Sequence, residues 1–202
     1  MFNQSNKGVK IMIHLPFQRT VGLQVKKYFL YKSDGWIFSK GRKEMFIGEY
    51  SSWKKWYLPV DIKGLTILDI GAGEGESARF FLDHGAKKVI CIECDDFAFK
   101  NLELNSKGKP IKCYHKFFEL SDLNHKFDFI KMDIEGGEKD LLKLNERLHI
   151  PLVMEVHGIE LAKQLYKKGY VLKHEMGNTI SIHLKHGLPL IKKINCWLCY
   201  AY

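Results

Sequence analysis

From residue 65 onward, short apolar runs alternate with stretches whose apolar positions recur every three or four residues. The runs at 65–70, 88–93, 111–115, 127–133 and 152–156 are too short for helices and are bounded by Gly, Asp, Asn or Pro, so they are predicted strands. The segments at 76–84, 97–105, 137–148 and 159–168 carry the helical period and are predicted helices. Strands alternating with helices of this length predict βαβ units, a mostly parallel sheet and right-handed crossovers, that is, a Rossmann-like α/β core. The alternation fails near the end. Runs at 170–175 and 179–184 flank Met176-Gly177-Asn178 with no room for a helix, which predicts a hairpin and therefore one antiparallel terminal strand.

Ahead of this core, residues 1–60 read as an extension. A strand is predicted at 9–15, a hairpin from 25–32 and 36–40 around Ser33-Asp34-Gly35, and a helix at 44–58 ended by Pro59. Tyr28, Phe29, Tyr31, Trp36, Phe38, Phe46, Tyr50, Trp53, Trp56 and Tyr57 crowd into it, most of them expected to pack the extension onto the core. The chain thus divides into a basic, aromatic-rich extension (1–60), a core domain (61–184) and a basic tail (185–202). Of the net charge of +9, the extension holds 11 Lys/Arg against 3 Asp/Glu, and the tail holds Lys185, Lys192 and Lys193 with no acid. A mildly acidic centre between basic ends suggests an anionic partner for the flanks.

No apolar run reaches the ~18 residues of a membrane span, and 11–17 is too short and too interrupted by His14 and Pro16 to be a signal peptide. No membrane association and a cytoplasmic location are expected. The five cysteines form no disulfide framework. Cys91 and Cys94 are spaced like zinc ligands, as are Cys196 and Cys199, but residues three apart on a strand point to opposite faces while zinc needs converging sulfurs. No metal is expected.

The chemistry concentrates in Asp69-Ile70-Gly71-Ala72-Gly73-Glu74-Gly75, after a predicted strand and before a predicted helix. Glycines at Gly71, Gly73 and Gly75 allow a tight turn and close approach of a ligand, at the strand end where open α/β sheets bind nucleotides. Glu93, 20 residues past Gly73 and at the end of the next strand, sits at the offset of an acid that grips ribose hydroxyls. The dinucleotide fingerprint G-x-G-x-x-G is not met: Glu76 replaces its last glycine, and Glu74 and Glu76 would oppose a pyrophosphate. The same acids are compatible with a sulfonium and an amino group, and Asp69 could face that ammonium.

These residues carry a resemblance. Ile67-Leu68 through Gly75 resembles motif I of the class I S-adenosylmethionine-dependent methyltransferases, and residues 127–138 (FDFIKMDIEGGE) resemble a signature of the FkbM-type family. Ile92-Glu93-Cys94-Asp95, with Leu102 and Asn105, is similar to another stretch of that family. The similarity spans about 65–157, with Gly73 where the family often has Asn and Cys94 where it has Pro. It implies a seven-stranded sheet with its last strand antiparallel, and S-adenosyl-L-methionine as cofactor. Asp69, Gly71, Ala72, Gly73, Glu74 and Gly75 would lie on its methionine side and Glu93 on the ribose, with Cys94 a further cofactor-binding candidate; the segment 115–117 would flank the adenine, where Phe117 could stack on it or be a core aromatic instead.

Methyl transfer from a sulfonium needs alignment more than acid–base help, and a base matters only for a hydroxyl or ammonium nucleophile. Asp133 and Glu135 after the fourth strand, and His157 with Glu155 after the fifth, are the catalytic candidates. Asp133 could instead position a ligand, Glu135 could cap the following helix, and His157 could be a satisfied loop residue. The expected function is methylation of an oxygen or nitrogen nucleophile. The acceptor is unidentified: the FkbM resemblance favours a small molecule or sugar hydroxyl, slightly ahead of RNA, which the basic, aromatic extension favours. The alternatives of other classes are a nicotinamide-dependent oxidoreductase and a non-catalytic nucleotide-binding protein.

Overall fold

The computed structural model describes residues 10–11, 30–33, 35–173, 182–185, 188–191 and 196–201, with side chains over most of 35–171. In chain order its strands are β1 (Lys10–Ile11), β2 (Leu30–Ser33), β3 (Trp36–Ser39), β4 (Thr66–Ile70), β5 (Lys88–Glu93), β6 (Ile111–His115), β7 (Phe129–Met132), β8 (Leu152–His157), β9 (Val171–Lys173), β10 (Ile182–Lys185), β11 (Leu188–Ile191) and β12 (Cys196–Ala201). The helices are α1 (Lys40–Tyr57), α2 (Glu76–Asp83), α3 (Asp96–Ser106) and α4 (Ile159–Lys167), with 3-10 turns at Leu120–Asn124 and Gly137–Lys143.

Seven strands form one sheet in the order β6-β5-β4-β7-β8-β12-β9. The pairs among β6, β5, β4, β7 and β8 are parallel, and β12 is antiparallel to both β8 and β9. The order runs outward in both directions from β4, so the glycine turn after β4 lies at the switch point where such sheets bind ligands. Side chains alternate across the sheet. Ile67, Val89, Cys91, Phe129 and Val153 pack on the layer holding α1 and α2, whereas Leu68, Ile70, Ile90, Ile92, Ile130 and Met154 pack on the layer of α4.

The extension closes the first layer. Phe46, Trp53 and Tyr57 of α1 are buried against Phe80 and Phe81 of α2 in a chain of edge-to-face contacts. The β2–β3 hairpin forms at the expected turn, and α1 begins four residues earlier than its predicted start at 44. Asn105, fully buried, accepts from the Ile37 N–H and donates to the carbonyls of Ile37 and Glu74, tying the hairpin to the glycine turn.

Two expectations are corrected. Residues 137–148 hold only a 3-10 turn: the carbonyls of Leu142 and Leu144 accept from Lys168 Nζ, and the Leu148 N–H donates to the Tyr170 hydroxyl, so tertiary partners take the groups a helix would pair. The antiparallel strand of the sheet is not 179–184. β10 pairs with β11 in a separate two-stranded sheet, and β12, inside the stretch expected to be a tail, lies between β8 and β9. Cys-Trp-Leu-Cys-Tyr-Ala is uncharged and suits an interior strand, whereas Ile-His-Leu-Lys alternates. The expected turn at 176–178 and most of the expected strand at 9–15 lie outside the described residues. Among the described residues, no helix is long and apolar enough to cross a membrane.

Candidate functional site

A cleft of about 360 Å³ opens at the carboxyl ends of β4, β5 and β7, within the ~300–1,000 Å³ usual for small-ligand sites. Gly71, Gly73, Glu93, Cys94, Phe117, Asp133 and Glu135 line it, as expected, together with Arg42 and Lys116.

Every backbone N–H of the turn is used inside the protein. Those of Gly71 and Ala72 donate to the Ile92 carbonyl (2.9 and 3.2 Å), that of Gly73 to Glu93 Oε2 (2.8 Å), that of Glu74 to Glu76 Oε2 (2.8 Å) and that of Gly75 to the Ala72 carbonyl (2.9 Å). A diphosphate seated on such a turn relies on those N–H groups, so the turn offers it no donors. Gly71 is required for another reason. It has φ +77°, and a Cβ there would fall 1.8 Å from the Asp133 carbonyl oxygen, so the crowding comes from the end of β7 rather than from a ligand.

Glu93 is held for recognition. Its Oε1 accepts from the N–H groups of Cys94 and Asp95, each at 2.8 Å, and its Oε2 from Gly73. A carboxylate has about four acceptor sites, so capacity remains on the edge facing the cleft. Phe117 is 77% exposed at the cleft wall, which removes the reading of a core aromatic. His115 instead stacks on Phe99, with ring centroids 4.4 Å apart.

Asp69 and Glu74 do not reach the cleft. Asp69 is fully buried: Ser77 Oγ donates to its Oδ2 at 2.6 Å, and its Oδ1 lies 3.3 Å from Lys131 Nζ, its cross-strand partner. Glu74 turns away, accepting from the Ser39 N–H at 2.7 Å. Glu76 folds over the turn and pairs with Arg42 Nη1 at 3.1 Å; burial pushes its carboxyl up to about 7 while Arg42 opposes that shift. Negative charge near the turn is therefore mostly spent on the protein's own groups, and the acids that line the cleft are Glu93, Asp133, Glu135 and Asp140.

Lys131 was not singled out by the sequence. It is buried, and its Nζ donates to the Gly71 carbonyl at 2.8 Å. Burial works against its charge, but Asp69, Asp133, Glu155 and Glu76 outweigh burial and hold the ammonium protonated. Its signal was a lone charge inside an otherwise apolar strand, directly opposite the lone charge of Asp69. Tyr57, hidden among the many aromatics of the extension, donates to Glu155 Oε1; burial and the Glu155 and Asp133 charges push its phenol well above the ordinary value.

The catalytic candidates do converge. His157 Nε2 lies 3.8 Å from Asp133 Oδ1 and 3.5 Å from Glu135 Oε2, and its Nδ1 lies 3.3 Å from Oε1 of the fully buried Glu138. The Glu138 hydrogen bond foremost, then the Glu135 and Asp133 charges, raise the imidazole to about 9 against the effect of burial. At neutral pH His157 is an imidazolium and not the base its residue type suggested. Glu135 caps no helix; the Ile134 N–H is taken by Glu138. Glu135 is also the one non-glycine with positive φ (+52°) among the described residues, with its side chain 86% exposed. Asp133, Glu155 and His157 each offer one atom within 4.8 Å of the others, a donor set that could hold a divalent cation, although the imidazolium and the Tyr57 hydroxyl already neutralise or occupy it. Cys91 is buried within β5, whereas Cys94 lies just past the end of that strand and is exposed at the cleft.

Five parallel strands, an antiparallel strand inserted beside the sixth, and a glycine turn at the switch point define the class I S-adenosylmethionine-dependent methyltransferase fold. No protein-family model matches the chain. Over 106 residues it is 27% identical to the ribosomal protein L11 methyltransferase of Aquifex aeolicus (strain VF5), covering 52% of this chain and 41% of that protein. Over 96 residues it is 35% identical to the uncharacterized protein 158B of Sulfolobus islandicus rod-shaped virus 1, covering 42% of this chain and 56% of that protein. The chain spans about half the length of these curated relatives. Among solved structures, Aeropyrum pernix fibrillarin in complex with natively bound S-adenosyl-L-methionine is similar in fold, with a TM-score of 0.54 at 15% identity over 96% of this chain and 88% of that one.

Proposed function

We propose that this chain is an S-adenosylmethionine-dependent methyltransferase acting on an oxygen or nitrogen nucleophile. The observation that carries this reading is the glycine turn whose N–H groups are all used internally, beside a carboxylate at the ribose position. The pair suits a nucleoside with a cationic tail and leaves a diphosphate without donors, which counts against the nicotinamide alternative. S-adenosylmethionine would supply an already activated methyl group. Glu93 would accept from the ribose hydroxyls, and Cys94 and Phe117 would flank the adenine. Asp133 would take the methionine ammonium, the role the sequence suggested for Asp69. Glu135 would accept a proton from the nucleophile where one must leave, with the His157 imidazolium holding Glu135 and Asp133 in place.

A macromolecular acceptor now stands ahead of the small-molecule hydroxyl. The FkbM resemblance rests on the residues of its motifs alone, while the relative with a named activity methylates, by its name, a ribosomal protein. Incubating the full chain with methyl-labelled S-adenosylmethionine and cell extract, then separating RNA, protein and small molecules, tests both points. Label in a macromolecular fraction is expected. Label confined to small molecules would reverse the ranking, and no transfer to any fraction would contradict the activity.

A further inference from the structure

The cleft wall is acidic where it faces a ligand, through Glu93, Asp133 and Glu135, with Asp140 also lining it. An S-adenosyl amino acid is cationic at its ammonium but also carries a carboxylate, and a carboxylate among these groups would be repelled. Among the described residues that line the cleft, two are cations, Arg42 and Lys116. Lys116 belongs to the other end: its N–H bonds the Glu93 carbonyl, it is followed by Phe117, and its Nζ is shared between Glu119 and Asp122, each at 3.1 Å.

Arg42 comes from the first turn of α1, in the basic extension, yet it reaches the wall formed by Gly71 and Gly73. Glu76 Oε1 accepts from its Nη1 at 3.1 Å, and Glu76 is itself tethered by the Glu74 N–H, so the guanidinium is anchored at the turn. Its side chain is 45% exposed. A guanidinium has five N–H donors in a planar fork that matches a carboxylate, and one bond to Glu76 leaves most of them available.

We propose that Arg42 binds the α-carboxylate of the S-adenosyl amino acid, so that the extension completes the cofactor site. The inference rests on the methyltransferase reading and adds to it the source of the missing positive charge. It also gives one of the extension's basic residues a carboxylate to bind, within the anionic-partner expectation that the charge pattern raised. The hairpin and α1 are pinned to the glycine turn by Asn105, by the Ser39–Glu74 bond and by the Arg42–Glu76 pair, so the guanidinium is carried by an element already fixed to the turn.

Calorimetry on the full chain tests this with two probes: S-adenosylhomocysteine, and its decarboxylated counterpart, which keeps the nucleoside, the thioether and the amine. Wild type is expected to prefer S-adenosylhomocysteine by roughly tenfold or more, in keeping with a charge-assisted carboxylate–guanidinium contact. R42Q is expected to lose that preference while binding the decarboxylated probe as wild type does, which also verifies that the variant is folded. R42K should recover part of the preference. A preference unchanged in R42Q, or equal weakening of both probes, would overturn the assignment of Arg42 and leave the methyltransferase reading intact. Failure of wild type to bind either probe would overturn that reading and this assignment together.

Discussion

At the residue scale, His157 shows how neighbours reassign a side chain. Its Nδ1 faces a buried carboxylate and its Nε2 faces two more, so its pKa rises to about 9. A group whose folded-state pKa lies above its unfolded value stabilises the fold fully below the unfolded value, near ~6.5, and that stabilisation is lost as pH rises through the folded value. Wild type should therefore lose stability relative to H157Q between pH ~6.5 and about 9. Urea unfolding at both ends of that window measures the difference; parallel curves would show that His157 is not held protonated. Glu135 poses the opposite case, a residue in an unfavourable conformation at the cleft. Left-handed φ costs a non-glycine residue roughly 1–2 kcal/mol. E135G should therefore raise stability by about 1 kcal/mol while lowering turnover, and a variant less stable than wild type would show that no strain is stored there.

The site was partly legible at this scale. Gly71, Gly73, Glu93, Cys94, Phe117, Asp133 and Glu135 come together in the cleft because the end of each parallel strand is a fixed place, and spacing along the chain identifies those ends. Asp69 and Glu74 were misassigned because spacing reports position but not the direction of a side chain. Asp69 points down into the layer under α1, where Lys131 waits on the adjacent strand. Arg42 and Tyr57 arrive from an element whose docking is set by tertiary packing, which a local pattern does not encode.

At the element scale, the extension and the glycine turn behave as one unit, and Asn105 is its fastener. Replacing it with leucine would leave the Ile37 N–H and the Ile37 and Glu74 carbonyls without their partner. Two or three buried groups left unsatisfied amount to about 3 kcal/mol, measurable as a lower urea midpoint for N105L. A loss below about 1 kcal/mol, the size of a single net hydrogen bond, would mean the hairpin is held by apolar contacts alone. Strands β5 and β6 form over the expected residues; β5 is buried along nearly its whole length, whereas β6, at the sheet edge, is marked by its apolar run and the Pro110 before it. The segments read wrongly are those where a distant group decides: Lys168 and Tyr170 take the backbone of 142–148, and β12 takes the place beside β8 that its neighbour in sequence was expected to fill.

At the scale of the whole molecule, the sheet order sets the function. Strands leave β4 in both directions, a cleft forms where they part, and the extension closes one side of it with a cation. On the function proposed above, this cleft takes a sulfonium nucleoside and not a diphosphate. Titration calorimetry of the full chain with S-adenosylhomocysteine and, separately, with NADH tests it most directly. Binding of S-adenosylhomocysteine is expected, weakened about tenfold or more in E93A by loss of a charged hydrogen-bond acceptor, with no heat from NADH; binding of NADH with none of S-adenosylhomocysteine would contradict a sulfonium-nucleoside site.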